Sequence, residues 1–219
     1  YAAKAEHSPV RVTGVDLSEA MIDVAQSLPE VQGIPIEWRN ADATELPLDD
    51  QSVDVTLCAQ TLQFIPEKRS SLREMRRVLK PGGRAALSLW CDIDESPYFS
   101  VLVDTVARHI GIETAAGLNA AFALSDVDEI HSLLDGAGFE QIEIATKQLY
   151  LPLPKLTKFV PRHITSTPMA AGFSRAPKSV QRTVIEDVSA RLSTYEVDDH
   201  VRIPFSSYMI TGRSGQEMN

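Results

Sequence analysis

Val10-Arg-Val-Thr-Gly-Val-Asp16 is the stretch that decides the fold. Its apolar residues alternate and then run together, the pattern of a buried strand, and the strand ends on a carboxylate. Ser18 is placed to cap a helix with Glu19 in its first turn, and Met21, Val24, Ala25 and Leu28 recur at helical spacing until Pro29. The same alternation repeats downstream. Ile36–Asn40 reads as a short strand with Ile36 and Trp38 on one face, a polar turn through Asp42 and Pro47 comes next, and residues 53–58 form a third strand. Residues 66–80 carry a helical stripe of Leu72, Met75, Val78 and Leu79, which Pro81-Gly-Gly83 ends ahead of a fourth strand at 84–90. Strands separated by helical crossovers pair in parallel.

The second half is less regular. Residues 98–110 hold a helical stripe, Ser125 is read as the cap of another helix with Asp128 completing a capping box, and Gly136 and Gly138 turn the chain into a strand at 141–145. Several prolines and one helix, 178–192, fill residues 152–200 before a last strand at 201–210, where Pro204 requires a bulge or an edge position. The expected fold class is α/β, a Rossmann-like doubly wound sheet, mostly parallel with an antiparallel last strand. Residues 1–150 make its core, 151–200 a lid or cap, and 201–219 the final strand and tail.

Bulk properties narrow the function. The chain has 219 residues, 43% of them hydrophobic, enough for one α/β domain with elaborations. Its 21 Lys and Arg against 30 Asp and Glu give a net charge of −9 with no basic run, which argues against a nucleic-acid partner. No apolar run approaches the ~20 residues that span a bilayer, and the N-terminus lacks the plan of a secretory signal. Cys58 and Cys91 supply neither a disulfide framework nor a four-ligand metal site, so no metal is expected and the default setting is cytoplasmic.

Three segments carry chemistry. Asp16, at the carboxyl end of a parallel strand, stands at the crevice where nucleotide cofactors bind and is able to accept both hydroxyls of a ribose; the competing reading makes it a cap for the next helix. In such sites a glycine-rich turn lies about 20 residues before the acid. Only 15 residues precede Asp16 and Gly14 is their one glycine, so the first strand and glycine loop are expected before Tyr1, with residues 1–6 the end of the following helix. Asp42 stands after a strand end in the same way: its carboxylate suits an adenine amine and the Ala43 amide a ring nitrogen, or Asp42 and Glu45 form a capping box. Cys58-Ala-Gln-Thr-Leu-Gln-Phe64 leaves the third strand beside the crevice, where Gln60 and Gln63 either meet a ligand or simply line a polar loop. Of the five histidines, His163 in the lid is the candidate proton acceptor.

Val12-Thr-Gly-Val-Asp-Leu-Ser-Glu-Ala-Met21 resembles the ribose-binding segment of class I S-adenosylmethionine-dependent methyltransferases, and Ala41-Asp-Ala43 their adenine-binding segment. Leu62-Gln-Phe64 and Leu72-Arg-Glu-Met-Arg-Arg-Val-Leu-Lys-Pro-Gly-Gly-Arg84 are similar to the subgroup of ubiquinone- and menaquinone-biosynthesis type. The resemblance implies that Asp16 binds ribose, that Leu17 and Ala43 flank adenine beside Ala41, and that Asp42 meets the exocyclic amine. Cys58, Ala59 and Gln60 would give backbone contacts near the sulfonium. It also implies S-adenosyl-L-methionine as cofactor, a small-molecule methyl acceptor and in-line methyl transfer. The family's glycine motif has no counterpart, and the chain as given is expected to bind cofactor poorly without it. Two other readings stay open: a catalytically silent methyltransferase-like binding module, and a nicotinamide-dependent dehydrogenase. Oligomeric state is not legible.

Overall fold

The computed structural model describes residues 11–28, 36–198 and 200–215. The helix end read at residues 1–6, the stop at Pro29 and the last residues of the tail lie outside them. β1 (Val12–Asp16) leads into α1 (Glu19–Ser27), and the Ser18 hydroxyl accepts the Met21 N–H at its start. β2 (Ile36–Asn40) pairs with β1 in parallel, from Val12 opposite Ile36 to Asp16 opposite Asn40. Gly14 lies against the Trp38 ring, and a β-carbon there would come within 2.5 Å of it. A side chain at 14 would therefore drive the two strands apart.

β3 (Val53–Ala59), α2 (Lys68–Val78) and β4 (Leu79–Trp90) make a second parallel unit. Its helix stops two residues earlier than the sequence suggests. The pairing jumps from Val53 opposite Leu79 to Val55 opposite Arg84, so Pro81-Gly-Gly83 is accommodated as a bulge, with Gly82 at φ 73°.

α3 (Pro97–His109), α4 (Ile112–Ala115), α5 (Asn119–Phe122) and α6 (Val127–Gly136) come next. The cap of α6 is Asp126, which accepts the Glu129 N–H at 2.9 Å, and not Ser125 as the spacing suggested. The shift costs nothing, because either side chain is of the capping type. β5 (Phe139–Pro154) is three times longer than its alternating core of residues implied. α7 (Leu156–Thr165), α8 (Ala170–Arg175), α9 (Lys178–Arg191) and the short β6 (Glu196–Val197) are inserted before β7 (His200–Ser214).

The main sheet runs β3-β4-β7-β5 with β6 against β7; β3 and β4 are parallel, and β7 is antiparallel to both its long neighbours. This is the expected α/β, Rossmann-like arrangement. Pro204 sits where β7 has only β5 beside it, since β4 reaches only Ser207 and β6 only Val201. The edge expectation is met.

One face of the main sheet packs Leu87, Leu89, Tyr208 and Ile210 against Leu72 and Met75 of α2 and Ile130 and Leu134 of α6. A second core lies among α3, α7 and α9, around Tyr98, Leu102, Val160, Val184 and Phe205. Each such side chain is worth ~1.5–3 kcal/mol of burial. β1 is only half-buried and Met21, Val24 and Leu28 are exposed, contrary to the sequence reading. The reason is local: α1 rests on the two strands β1 and β2, a surface too narrow to cover its stripe. No helix among the described residues is long and apolar enough to cross a membrane.

Candidate functional site at the carboxyl ends of the parallel strands

Parallel pairing in register brings the ends of β1 and β2, and so Asp16 and Ala41-Asp-Ala43, to one edge. Asn40 fastens them. Its side-chain amide donates to the carbonyls of Asp16 (3.0 Å) and Leu17 (2.8 Å), while the Ala41 N–H donates to the Asp16 carbonyl at 3.1 Å. Asp16 is exposed, and one of its oxygens accepts the Ser18 N–H at 2.8 Å. Asp16 thus braces the turn into α1 through Oδ1, as the capping reading had it, and Oδ2 has no hydrogen-bond partner among the described residues. Leu17, 70% exposed, offers an apolar side chain beside it.

Asp42 is organised differently from the capping box that Glu45 suggested. Its Oδ1 accepts both the Thr44 N–H (2.8 Å) and the Thr44 hydroxyl (2.7 Å), and its carbonyl accepts the Glu45 N–H at 3.0 Å. The two Thr44 bonds hold this carboxyl below the usual range, so it is an anion and an acceptor at neutral pH. Ala41 and Ala43 are half-buried in the same turn.

Arg77 of α2 holds the loop from Leu46 to Asp50. Its guanidinium donates to the carbonyls of Leu46 (2.9 Å) and Leu48 (2.8 Å), and to Asp50 (2.6 Å) and Glu74 (2.7 Å). Glu74 in turn accepts the Leu46 N–H at 2.8 Å. The sequence reading missed this clamp. Only the Glu74–Arg77 spacing on one helix hinted at it, because the remaining partners lie far away along the chain.

Cys58, Ala59 and Gln60 end β3 in the main sheet, and no strand pairing joins that sheet to β1 and β2 among the described residues. Gln60 has φ 52°, and its N–H is committed to the Ser88 carbonyl at 2.9 Å. Its side chain donates to the Ser207 hydroxyl and accepts from Gln63, each at 3.3 Å. Gln63 is 4% exposed, and its Oε1 has no hydrogen-bond partner among the described residues. A buried orphan acceptor of this kind costs ~1–3 kcal/mol unless something donates to it. Burial pushes the Cys58 thiol up and the Cys91 thiol up to about 11, so neither is a thiolate at neutral pH.

His163 stands apart from Asp16 and Asp42, in the helical insertion. Its Nδ1 lies 3.0 Å from the Tyr98 hydroxyl, and its ring stacks on Phe159 at 5.4 Å. Burial lowers its pKa, which keeps the imidazole neutral. No cluster of three or more potential metal ligands occurs among the described residues.

Residues 1–87 match the family model described as a methyltransferase domain. Among curated proteins the chain is 34% identical over 137 residues to an arsenite methyltransferase of Halobacterium salinarum, a match covering 62% of this chain and 32% of that protein. It is 31% identical over 150 residues to a demethylmenaquinone methyltransferase of Clavibacter sepedonicus, covering 62% of this chain and 59% of that one. The chain therefore spans less than two thirds of these relatives. A crystal structure of a Bacillus halodurans protein assigned as a methyltransferase shares the fold with a TM-score of 0.57 at 18% identity, covering 94% of this chain and 84% of that one.

Proposed function

We propose that the chain is a class I S-adenosylmethionine-dependent methyltransferase that transfers a methyl group from S-adenosyl-L-methionine to a small-molecule acceptor, a reading supported by the match of residues 1–87 to the methyltransferase-domain family model. One observation carries this reading: two carboxylates, Asp16 and Asp42, stand at the carboxyl ends of adjacent parallel strands, and Asn40 fixes those ends together. The residues present fit the ribose and adenine half of the cofactor. Asp16 has an outward oxygen for a ribose hydroxyl, Leu17 and Ala43 supply surface for the ring, and Asp42 keeps Oδ2 for the exocyclic amine.

The cofactor supplies a methyl carbon already activated by a sulfonium, which an acceptor nucleophile displaces in line. The chain's own work is alignment and exclusion of water. Cys58, Ala59 and Gln60 border the reacting side. His163 is neutral, and in the tautomer whose Nδ1–H donates to the Tyr98 hydroxyl oxygen its Nε2 accepts a proton once the insertion, acting as a lid over residues 151–200, brings it to the acceptor. A small acceptor and protonated thiols suit a cytoplasmic setting.

Incubation with methyl-labelled S-adenosylmethionine and a panel of small acceptors, including the demethylmenaquinone and arsenite named for the relatives, tests the proposal. Label in an acceptor supports it. Cofactor binding without transfer to any of them favours a silent binding module, and binding of NAD in place of S-adenosylhomocysteine overturns it.

A further inference from the structure

We infer that the outer edge of β5 is a docking surface for a second copy of this chain, which pairs with it antiparallel about Ala145. β5 ends the main sheet, and no described strand lies on its far side. Which of its amides point outward is set by β7. Ser206, opposite Gln148, gives its N–H to the Ser96 hydroxyl (3.3 Å) and its carbonyl to the Cys91 N–H (3.2 Å), both away from β5. The Gln148 pair is therefore one without ladder bonds to β7, and its own N–H and carbonyl face solvent.

Register extends this rule in steps of two to Ile144, Thr146, Tyr150, Pro152 and Pro154. All three prolines of the β5–β7 ladder, Pro152, Pro154 and Pro204, fall on such pairs, where a missing N–H breaks no bond between the two strands. The outer edge is closed at one end by Pro152 and Pro154 and at the other by the register shift at 140–143, with Gln141 at φ 49°. Natural edges are blunted in these ways against promiscuous pairing. Between the two blocks lies an open ladder with outward donors at Ile144, Thr146, Gln148 and Tyr150.

Side-chain charge selects the occupant and the register. A copy related by a two-fold axis at Ala145 sets Glu143 opposite Lys147, and by symmetry Lys147 opposite Glu143, with the small Ala145 at the centre. All three residues are exposed. An axis at Lys147 would instead oppose two like charges, and axes at Thr146 or Gln148 would face a charge against Leu149. A ladder this short buries little area, so the dimer is reversible and concentration-dependent. The inference does not rest on the methyl-transfer reading.

Sedimentation velocity over a concentration series tests it. The expected result is a weight-average mass rising toward twice the chain mass, lost in Glu143→Lys and in Lys147→Glu, and restored when both substitutions are combined. Amide exchange gives a second reading that needs no variant: the Thr146 and Gln148 N–H groups slow as concentration rises. A chain that stays at monomer mass with concentration-independent exchange overturns the inference, as does a dimer indifferent to both charge reversals.

Discussion

The Asn40 side-chain amide donates at 2.8 Å to the carbonyl of Leu17, 23 residues earlier in the chain, so a β2 side chain holds the turn that carries Asp16. The neighbouring Asp16 carbonyl receives the same amide at 3.0 Å. Asn40→Ala removes both bonds and leaves two carbonyls to water. At ~1 kcal/mol each, the loss is expected to lower S-adenosylhomocysteine affinity by up to about 30-fold, and more than Asp49→Ala, a control elsewhere on the exposed surface. Titration calorimetry on the two variants makes the comparison.

Arg77 has the larger structural task. Arg77→Met removes donors to Leu46, Leu48, Asp50 and Glu74 while keeping the length of the side chain. A loss of about 2 kcal/mol in denaturant unfolding is expected, with faster amide exchange between β2 and β3. Arg77→Lys should rescue little, since an ammonium lacks the planar fork that reaches several acceptors at once.

His163 predicts a pH dependence with a definite sign. Burial lowers its folded-state pKa below the ordinary value of about 6.5, so in acid the unfolded chain takes up the proton first. Stability is complete above that value and declines as pH falls from it toward the folded pKa. Thermal melts from neutral to mildly acid pH should show the decline, and it should shrink in His163→Phe combined with Tyr98→Phe, which removes the partner hydroxyl as well.

The cysteines should be inert in the folded chain. Cys91 is fully buried with its thiol pushed up to about 11, and burial pushes the Cys58 thiol up too. Alkylation at neutral pH, monitored by mass spectrometry, should be slow for both and become fast in denaturant. Rapid native alkylation of Cys58 would contradict this.

Much of this molecule is written locally. β2 occupies Ile36–Asn40 as its alternation indicates, and Ser18 caps α1, because both depend on residues within a few positions of each other. The placement of Asp16 and Asp42 was legible for the same reason: a carboxylate at or just past a strand end is visible in a line of sequence. Features held by distant partners escaped. The Arg77 clamp, the bond from Gln60 to Ser207 and the neutral pair of His163 and Tyr98 join residues that only the fold brings together. β5 runs on past residue 145 because β7, far along the chain, offers a full-length partner. The exposed stripe of Met21, Val24 and Leu28 shows the opposite limit, since helical spacing reveals an apolar face but not how much surface will meet it.

The central claim is that Asp16 and Asp42 form the nucleoside half of an S-adenosylmethionine site. Calorimetric titration of S-adenosylhomocysteine into the chain and into Asp16→Asn, with NAD as the control ligand, tests it most directly. The predicted result is weak binding of S-adenosylhomocysteine without binding of NAD, weakened a further ~10- to 100-fold by the substitution, as loss of a hydrogen bond to a charged group requires. Equal affinity in the two proteins, or heat from NAD alone, would contradict it.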